Sequence, residues 1–179
     1  SVGEDGRIAT SERFNDKKST SLGPGSHAEG INVKAGFTDG NILTYASHAE
    51  GYSTEALGVA CHAEGYGCST PNNVMGAHAE GYATIAGGPY SHAEGYGADP
   101  RHQQIPTLRE YKGATGAAAH VEGGGYTPIS EAPGFAAMPN NASGMGSHAE
   151  GIMTIAEGDA SHAEGFDTIA KIKGSHAEG

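Results

Sequence analysis

Small and large side chains alternate in a five-residue motif, SHAEG or a close variant, that recurs through most of the chain. Copies begin at residues 26, 47, 61, 77, 91, 119, 147, 161 and 175, so four of the eight intervals are 14 residues and two are 28. In segments 47–60, 77–90 and 147–160 the motif is followed by Thr at position 8, Ala at position 10 and Gly at position 12. Because alternate residues of a strand point to opposite faces, each unit predicts a coil of two short strands, each with one nearly bare face.

Small residues at alternating positions predict how these coils are filled. Facing Ser, Ala, Thr and Gly residues let two strand walls approach closely around a core of methyl groups and backbone, which accounts for 30 glycines in 179 residues. A helical solenoid is excluded because each interior glycine would cost about 1 kcal/mol and the chain has no 3.6-residue apolar period. The predicted fold is all-β, a thin roll or solenoid of 14-residue coils.

The repeat also predicts the division of the chain. Residues 1–25 lack the motif and are expected to be a linker or an adapter, whereas residues 26–179 form the repeat domain. The longer intervals predict loop insertions at about 97–113 and 127–144. Both insertions interrupt the coil at a similar phase, so we expect them to leave the roll on the same edge.

Charge and motif content exclude several classes of function. With 21 Asp and Glu against 10 Lys and Arg, a formal net charge of −11, the chain is not expected to bind nucleic acid or an anionic membrane surface. No apolar run approaches the roughly 20 residues of a membrane span, so membrane insertion is not expected. The chain has no P-loop, nucleophile elbow or HExxH motif, and we predict that it is not an enzyme.

Two cysteines, Cys61 and Cys68, occupy positions 1 and 8 of one coil. Facing strands would place position 1 opposite position 12, and position 8 opposite position 5. The two residues are then farther apart than the roughly 7 Å between Cα atoms that a disulfide can span. Both are expected to be free thiols.

The repeat S-H-A-E-G-x-x-T-x-A-x-G-x-x resembles the head repeat of trimeric autotransporter adhesins, S-V-A-I-G-x-x-A-x-A-x-G-x-x, and is similar to SHAEG-type repeats in phage tail-fibre proteins. The resemblance covers most of residues 26–179. It implies a left-handed parallel β-roll that forms a side-by-side homotrimer, as a structural fibre segment for attachment to a host or surface. It also implies an extracellular or virion-surface location, and the chain, which stops within a coil, is expected to be part of a longer fibre.

The departure from the adhesin pattern lies at positions 2 and 4, where His and Glu replace Val and Ile. In that family these positions line the inner wall, where the three rolls meet. We call the surface that carries these side chains the His/Glu face. The resemblance implies that it forms the trimer seam, through His27, Glu29, His48, Glu50, His62, Glu64, His78, Glu80, His92, Glu94, His120, Glu122, His148, Glu150, His162, Glu164, His176 and Glu178.

Three interpretations of the His/Glu face stay open. The face could simply be solvated, as alternating polar residues often are. In the interpretation that we favour, His of one chain pairs with Glu of another in a partly desolvated seam, which would raise the pKa of the histidines and lower that of the glutamates.

The third interpretation places a divalent transition metal on the three-fold axis, with three His and three Glu ligands. Parallel rungs are about 4.8 Å apart, where two divalent ions repel by roughly 14 kcal/mol at an effective dielectric constant of 20, so at most a few rungs would be filled. A metal-binding or metal-stabilised solenoid is therefore the alternative function. We expect no other cofactor.

Position 6 carries mostly aromatic residues, which aligned coils would place directly over one another. A stacked column that shields the edge of the roll is the favoured interpretation, and a sugar-binding stripe is the alternative. These residues are Ile31, Tyr52, Tyr66, Tyr82, Tyr96, Ile152 and Phe166.

Loops that interrupt a rigid scaffold are the expected place for recognition. The partner would be an unknown surface receptor, with glycans among the candidates, although insertions without any ligand remain the alternative. The candidate receptor-binding residues are Arg101, His102, Arg109, Tyr111, Lys112, Phe135 and Met138.

Overall fold

The computed structural model describes residues 8–10, 19–97, 113–127, 136–138 and 140–179. Regular structure in this part of the chain is β, and no helix in it is long and apolar enough to span a bilayer. The strands of the first wall are β1 (Ile8–Thr10), β3 (His27–Ile31), β5 (His48–Tyr52), β7 (His62–Tyr66), β9 (His78–Tyr82), β10 (His92–Ala93), β12 (His120–Gly123), β16 (His148–Ile152), β18 (His162–Phe166) and β20 (His176–Glu178).

A second wall is built from shorter strands at positions 9 and 10 of the coils. Two further strands, β13 (Gly125–Thr127) and β14 (Ala136–Met138), form a separate antiparallel pair. The strands of the second wall are β2 (Thr20–Ser21), β4 (Lys34–Ala35), β6 (Glu55–Ala56), β8 (Ser69–Thr70), β11 (Gly113–Ala114), β15 (Asn141–Ala142), β17 (Ile155–Ala156) and β19 (Ile169–Ala170).

Successive strands of each wall pair in parallel, with equal positions side by side. Between β5 and β7, His48 lies opposite His62 and Glu50 lies opposite Glu64, and the first wall is one ten-stranded sheet. The second wall consists of two four-stranded sheets, β2-β4-β6-β8 and β11-β15-β17-β19. The predicted all-β fold of parallel strands is confirmed, and each repeat unit adds one rung to the solenoid.

Small side chains fill the space between the walls. The largest fully buried side chain among the described residues is that of Val33. The buried residues at position 3 are Ala28, Ala49, Ala63, Ala79, Ala93, Val121, Ala149 and Ala163. Facing them at position 10 are Ala35, Ala56, Thr70, Ala86, Ala114, Ala142, Ala156 and Ala170. The roll is therefore thin, and its outer surfaces carry the larger side chains.

Buried hydroxyl groups connect the two walls. The Oγ1 of Thr54, at position 8, donates to the carbonyl oxygen of Glu50 at 3.0 Å, and Thr84 makes the same bond in its own coil. The Oγ of Ser47, at position 1, donates to the carbonyl oxygen of Gly58 at 2.5 Å. These bonds satisfy polar groups that would be costly to bury unpaired, and they fix the backbone of the strand that carries the glutamates.

Two corners with left-handed backbone close the coils that no long insertion interrupts. At position 7, Ser53 and Ala83 both have φ of +55°, and at position 14, Ala60 and Ala160 have φ of +51° and +53°. Residues other than glycine are uncommon in this region because the Cβ atom is crowded there. The sequence analysis did not predict these corners, since positions 7 and 14 vary in residue type.

The glycine of the motif, at position 5, is required by the close approach of the rungs. Gly51 has φ of +106°, and a Cβ atom on it would overlap the carbonyl oxygen of Gly65 in the next rung. A Cβ atom on Gly65 would likewise overlap the carbonyl oxygen of Gly81. Position 5 therefore has to be glycine for the rungs to pack this closely.

Strand pairing extends into residues 1–25, the segment that the sequence analysis expects to be a linker or an adapter. Ile8–Thr10 pairs in parallel with β3, and Thr20–Ser21 pairs with β4. Ser19 takes the buried place of the Thr at position 8. The roll thus begins ahead of the first SHAEG motif. The short strands of the second wall need small residues but not the motif itself.

After each long insertion the coil resumes at the same phase. Gly113 lies opposite Asn141, where β11 pairs with β15. Asn140 takes position 8, where its Nδ2 donates to the carbonyl oxygen of Glu122 at 2.6 Å and its Oδ1 accepts from the backbone N–H of Thr154 at 3.0 Å. Residues 140–144 therefore belong to the coil, although the sequence analysis places them in the insertion.

Both cysteines are buried and free, as predicted. The Sγ of Cys68 lies 3.2 Å from the carbonyl oxygen of Gly81, a residue at position 5. Burial raises the pKa of the Cys68 thiol. These side chains therefore serve as small core residues.

Candidate functional site

The histidines of the motif form one continuous ladder along the first wall. Rings of successive rungs from His27 to His176 stack with centroid separations of 4.7 to 5.0 Å and interplanar angles of 2° to 10°. The parallel register causes this arrangement, because position 2 of one coil lies directly beside position 2 of the next. The glutamates at position 4 form a second, parallel column.

Side chains of the His/Glu face are half-buried. Between His48 and His162 the exposed fraction of the histidine side chains is 32% to 39%. The most exposed of these side chains lie near the ends, with Glu29 at 60% and His176 at 54%. The neighbouring rungs cover the faces of each ring.

The Nε2 atoms of seven ladder histidines lack hydrogen-bond partners within the described part of the chain. Each Nε2 lies 3.6 to 4.0 Å from a carboxylate oxygen of its own rung, which is too long for a hydrogen bond. The buried Nε2 atoms without a partner belong to His48, His62, His78, His92, His120, His148 and His162. Buried polar atoms are normally paired, so this row of atoms is the strongest indication of a missing binding partner.

Some histidines also approach the glutamate of the preceding rung. His78 Nε2 lies 3.9 Å from Glu64 Oε1, and His120 Nε2 lies 4.0 Å from Glu94 Oε1. The predicted seam involved these residues in contacts between chains only. The 14-residue register and the rung spacing were sufficient to predict contacts between rungs of one chain.

An open groove of about 990 Å³ follows the glutamate column, with the position 5 glycines as its floor. Carboxyl groups of successive rungs share hydrogen bonds. Bonding to Glu80 and Glu50 raises the pKa of Glu64 to about 7, and bonding to Glu80 raises the pKa of Glu94 to about 7. Glu80 accepts from both neighbours, which lowers its pKa.

Within the single chain, the pKa values of three ladder histidines are lowered. Burial, followed by the charges of neighbouring histidines, lowers the pKa of His62, His78 and His120. The expected increase would need a carboxylate at hydrogen-bond distance, which no described residue supplies. In the single chain these three rings therefore favour the neutral form near pH 7.

Several triplets on this face have donor atoms within 4.8 Å of one another, which is close enough to hold a metal ion. They are His78, Glu80 and His92; His120, Glu122 and His148; His148, Glu150 and His162; His162, Glu164 and His176; and Glu50, His62 and Glu64.

The aromatic column at position 6 is present. Tyr52, Tyr66, Tyr82 and Tyr96 stack with centroid separations of 4.8 to 5.1 Å. Tyr52 and Tyr66 are each 36% exposed and Phe166 is 59% exposed. The column borders the groove and lies on the edge of the roll.

Most of the predicted receptor-binding residues, namely Arg101, His102, Arg109, Tyr111, Lys112 and Phe135, lie outside the described residues. Met138 is the last residue of β14, where its backbone pairs with Gly125. Recognition by the insertions stays a prediction.

No protein-family model matches this chain, and comparisons with curated proteins and with solved structures gave no significant match. Conclusions about function therefore depend on the geometry of the His/Glu face.

Proposed function

We propose that the chain is a structural segment of an elongated fibre, in which three copies associate side by side along their His/Glu faces. The observation that carries this proposal is the row of buried Nε2 atoms without a hydrogen-bond partner in the described part of the chain. They recur on every rung from His48 to His162. A partner that satisfies them all must present polar groups with the same repeat.

A second copy of the same roll has that repeat. Its carboxyl groups follow one another at the rung spacing, as the paired registers of Glu50 with Glu64 and of Glu150 with Glu164 require. Oligomers of identical chains are usually closed and symmetric. We adopt three-fold symmetry and left-handed winding from the resemblance to trimeric adhesin heads.

The protonation of the face is compatible with such a seam. A neutral imidazole can accept a hydrogen bond from a protonated carboxyl group, and Glu64 and Glu94, with pKa values of about 7, retain protons near neutral pH. Other rungs can pair an imidazole N–H with a carboxylate. Alternating neutral pairs would avoid the large cost of burying isolated charges.

We further propose that the two long insertions carry the attachment function, towards a host or surface receptor of which glycans are one class. They depart from neighbouring points, since the N–H of Tyr96 donates to the carbonyl oxygen of Gly123. They return at neighbouring points, where Gly113 lies opposite Asn141. An extracellular or virion-surface location follows from this role, and no catalytic role is proposed.

Light scattering of the purified chain tests the trimer. Three chains of 18.1 kDa give about 54 kDa. The double change His78→Glu and His92→Glu adds repelling charge to the proposed seam and should give the monomer mass. The control is Ser69→Glu on the second wall, where Glu55 at the equivalent position of the preceding rung shows that a carboxylate fits. A monomeric parent chain, or the same dissociation in the control, contradicts the seam.

A further inference from the structure

We propose that the His/Glu face binds divalent transition cations, such as Zn²⁺, at sites within a single chain. Each site consists of one histidine, the glutamate of its own rung and the glutamate of the preceding rung. This proposal differs from a metal on the three-fold axis because one chain supplies all three protein ligands. It therefore does not depend on the proposed trimer.

The first site is formed by Glu64, His78 and Glu80. His78 Nε2 lies 3.6 Å from Glu80 Oε2 and 3.9 Å from Glu64 Oε1. Zinc bonds to nitrogen and oxygen of 2.0–2.2 Å imply ligand separations of about 3.4 Å in a tetrahedral site. The nitrogen and each of these two oxygens therefore need to approach by only a few tenths of an ångström, and Nε2 has no other hydrogen-bond partner among the described residues.

The same arrangement recurs two rungs later and again after two more. His120 Nε2 lies 3.9 Å from Glu122 Oε2 and 4.0 Å from Glu94 Oε1. His162 Nε2 lies 3.7 Å from Glu164 Oε2 and 4.0 Å from Glu150 Oε2. The three sites share no ligand.

Ligand sharing limits occupancy to every second rung. An ion at His62 would use Glu50 and Glu64, so it would compete with the site at His78 for Glu64. Ring separations of 4.8 Å from His78 to His92 and 5.0 Å from His92 to His120 place the permitted sites about twice the rung spacing apart. The repulsion between two ions is then about half that on adjacent rungs. We infer three ions per chain in the described residues.

The donor set favours a transition cation over Mg²⁺ or Ca²⁺, since these two prefer oxygen ligands alone. Two carboxylates and one neutral imidazole match the charge of a divalent ion. Binding would displace protons that neighbouring carboxyl groups share, as metal binding usually does. The remaining coordination positions would be filled by water or by groups across the seam.

Isothermal titration with ZnCl₂ near neutral pH tests the proposal, using the full chain without a histidine tag after removal of metals. We expect three zinc ions per chain, and no binding with MgCl₂. The double change His62→Ala and His78→Ala should lower the number to two, because His78→Ala alone would free Glu64 for an ion at His62. The matched control is His92→Ala, with a ring in the same ladder that is 38% exposed against 34% for His78, and it should leave three.

The pair His120→Ala and His148→Ala repeats this comparison at another site, and circular dichroism reports whether each variant folds. No zinc binding, one ion on every rung, or equal losses in the double variant and in His92→Ala would overturn the proposal. A monomer that binds three ions would contradict the proposed trimer but support these sites. A trimer that binds no zinc would support the proposed trimer but contradict these sites.

Discussion

The imidazole rings of His78 and His92 lie parallel, with centroids 4.8 Å apart and planes 2° apart. Burial lowers the pKa of His78, and a charge on His92 would lower it further. A ladder of this kind is therefore most stable when its rings are neutral. Each neutral ring still needs a partner for Nε2, which explains why a surface of half-buried histidines is suited to a second copy or to metal ions.

The seam makes Glu80 more important than the equivalent residue at the end of the ladder. We expect Glu80→Ala to remove one hydrogen-bond partner in each of three chains and to destabilise the trimer by about 3 kcal/mol, at about 1 kcal/mol for each bond. Denaturant unfolding of metal-free protein at fixed concentration measures this loss. Glu178→Ala, at an exposed residue of the last rung, is the control, and equal losses would favour a solvated face.

Glu64 should make the stability depend on pH. It faces Glu50 and Glu80 on the neighbouring rungs and His62 and His78 on the ladder, and its pKa is raised to about 7. A raised pKa means that the folded chain holds a proton that the unfolded chain has lost. Its contribution is therefore full below the unfolded value of 4.5 and is lost as pH rises through about 7.

Glu64→Gln keeps the neutral form at every pH. The melting temperature of this variant, relative to that of the parent chain, should therefore increase from pH 4.5 to about pH 7 and stay constant above it. Lowered pKa values of His62 and His78 act in the opposite direction, with stability lost as pH falls below the ordinary histidine value of 6.5. Because both proteins contain these histidines, the comparison isolates Glu64. A difference that does not change with pH would show that Glu64 holds no such proton.

The glycine beside the glutamate column tests how tightly the rungs approach. Gly65→Ala would place a Cβ atom against the carbonyl oxygen of Gly81, at a φ of +102°. We expect a loss of about 3 kcal/mol or more from left-handed strain and overpacking together. Gly40→Ala has a similar φ of +92° but open space around it, so it should cost only the strain. Thermal unfolding that ranks the two changes equally would contradict the close approach.

Most of the fold could be predicted from the sequence because its signal is local and repeated. Alternation of small residues specified which side chains face inward, and the 14-residue interval specified that Ala49 stacks on Ala63. The corners could not be predicted in the same way. Ala60 and Ser53 adopt left-handed backbone because the closed coil requires it there, although neither residue type favours that conformation.

The candidate site could likewise be predicted only in part. Its residues were evident from nine copies of His and Glu, but their protonation was not. The expected increase in the histidine pKa concerns a carboxylate of another chain and stays a prediction, whereas within one chain His78 Nε2 and Glu80 Oε2 are 3.6 Å apart and the rings stack on one another. Distances of this kind depend on the side-chain rotamers that the stacked rungs adopt together. Residue spacing does not determine these rotamers.

The left-handed corners also provide a way to change stability without altering the His/Glu face. Ala60 is exposed with φ of +51°. Glycine occupies the same position 14 at Gly146, where φ is +62° and a Cβ atom would have no neighbour within 4 Å. Ala60→Gly should therefore stabilise the protein by up to about 1 kcal/mol, and Gly146→Ala should destabilise it by a similar amount. Urea unfolding of both variants measures the pair, with light scattering to verify that the oligomeric state is unchanged. Opposite signs for the two changes support a left-handed corner at position 14, whereas a loss of stability in Ala60→Gly would mean that this corner is absent.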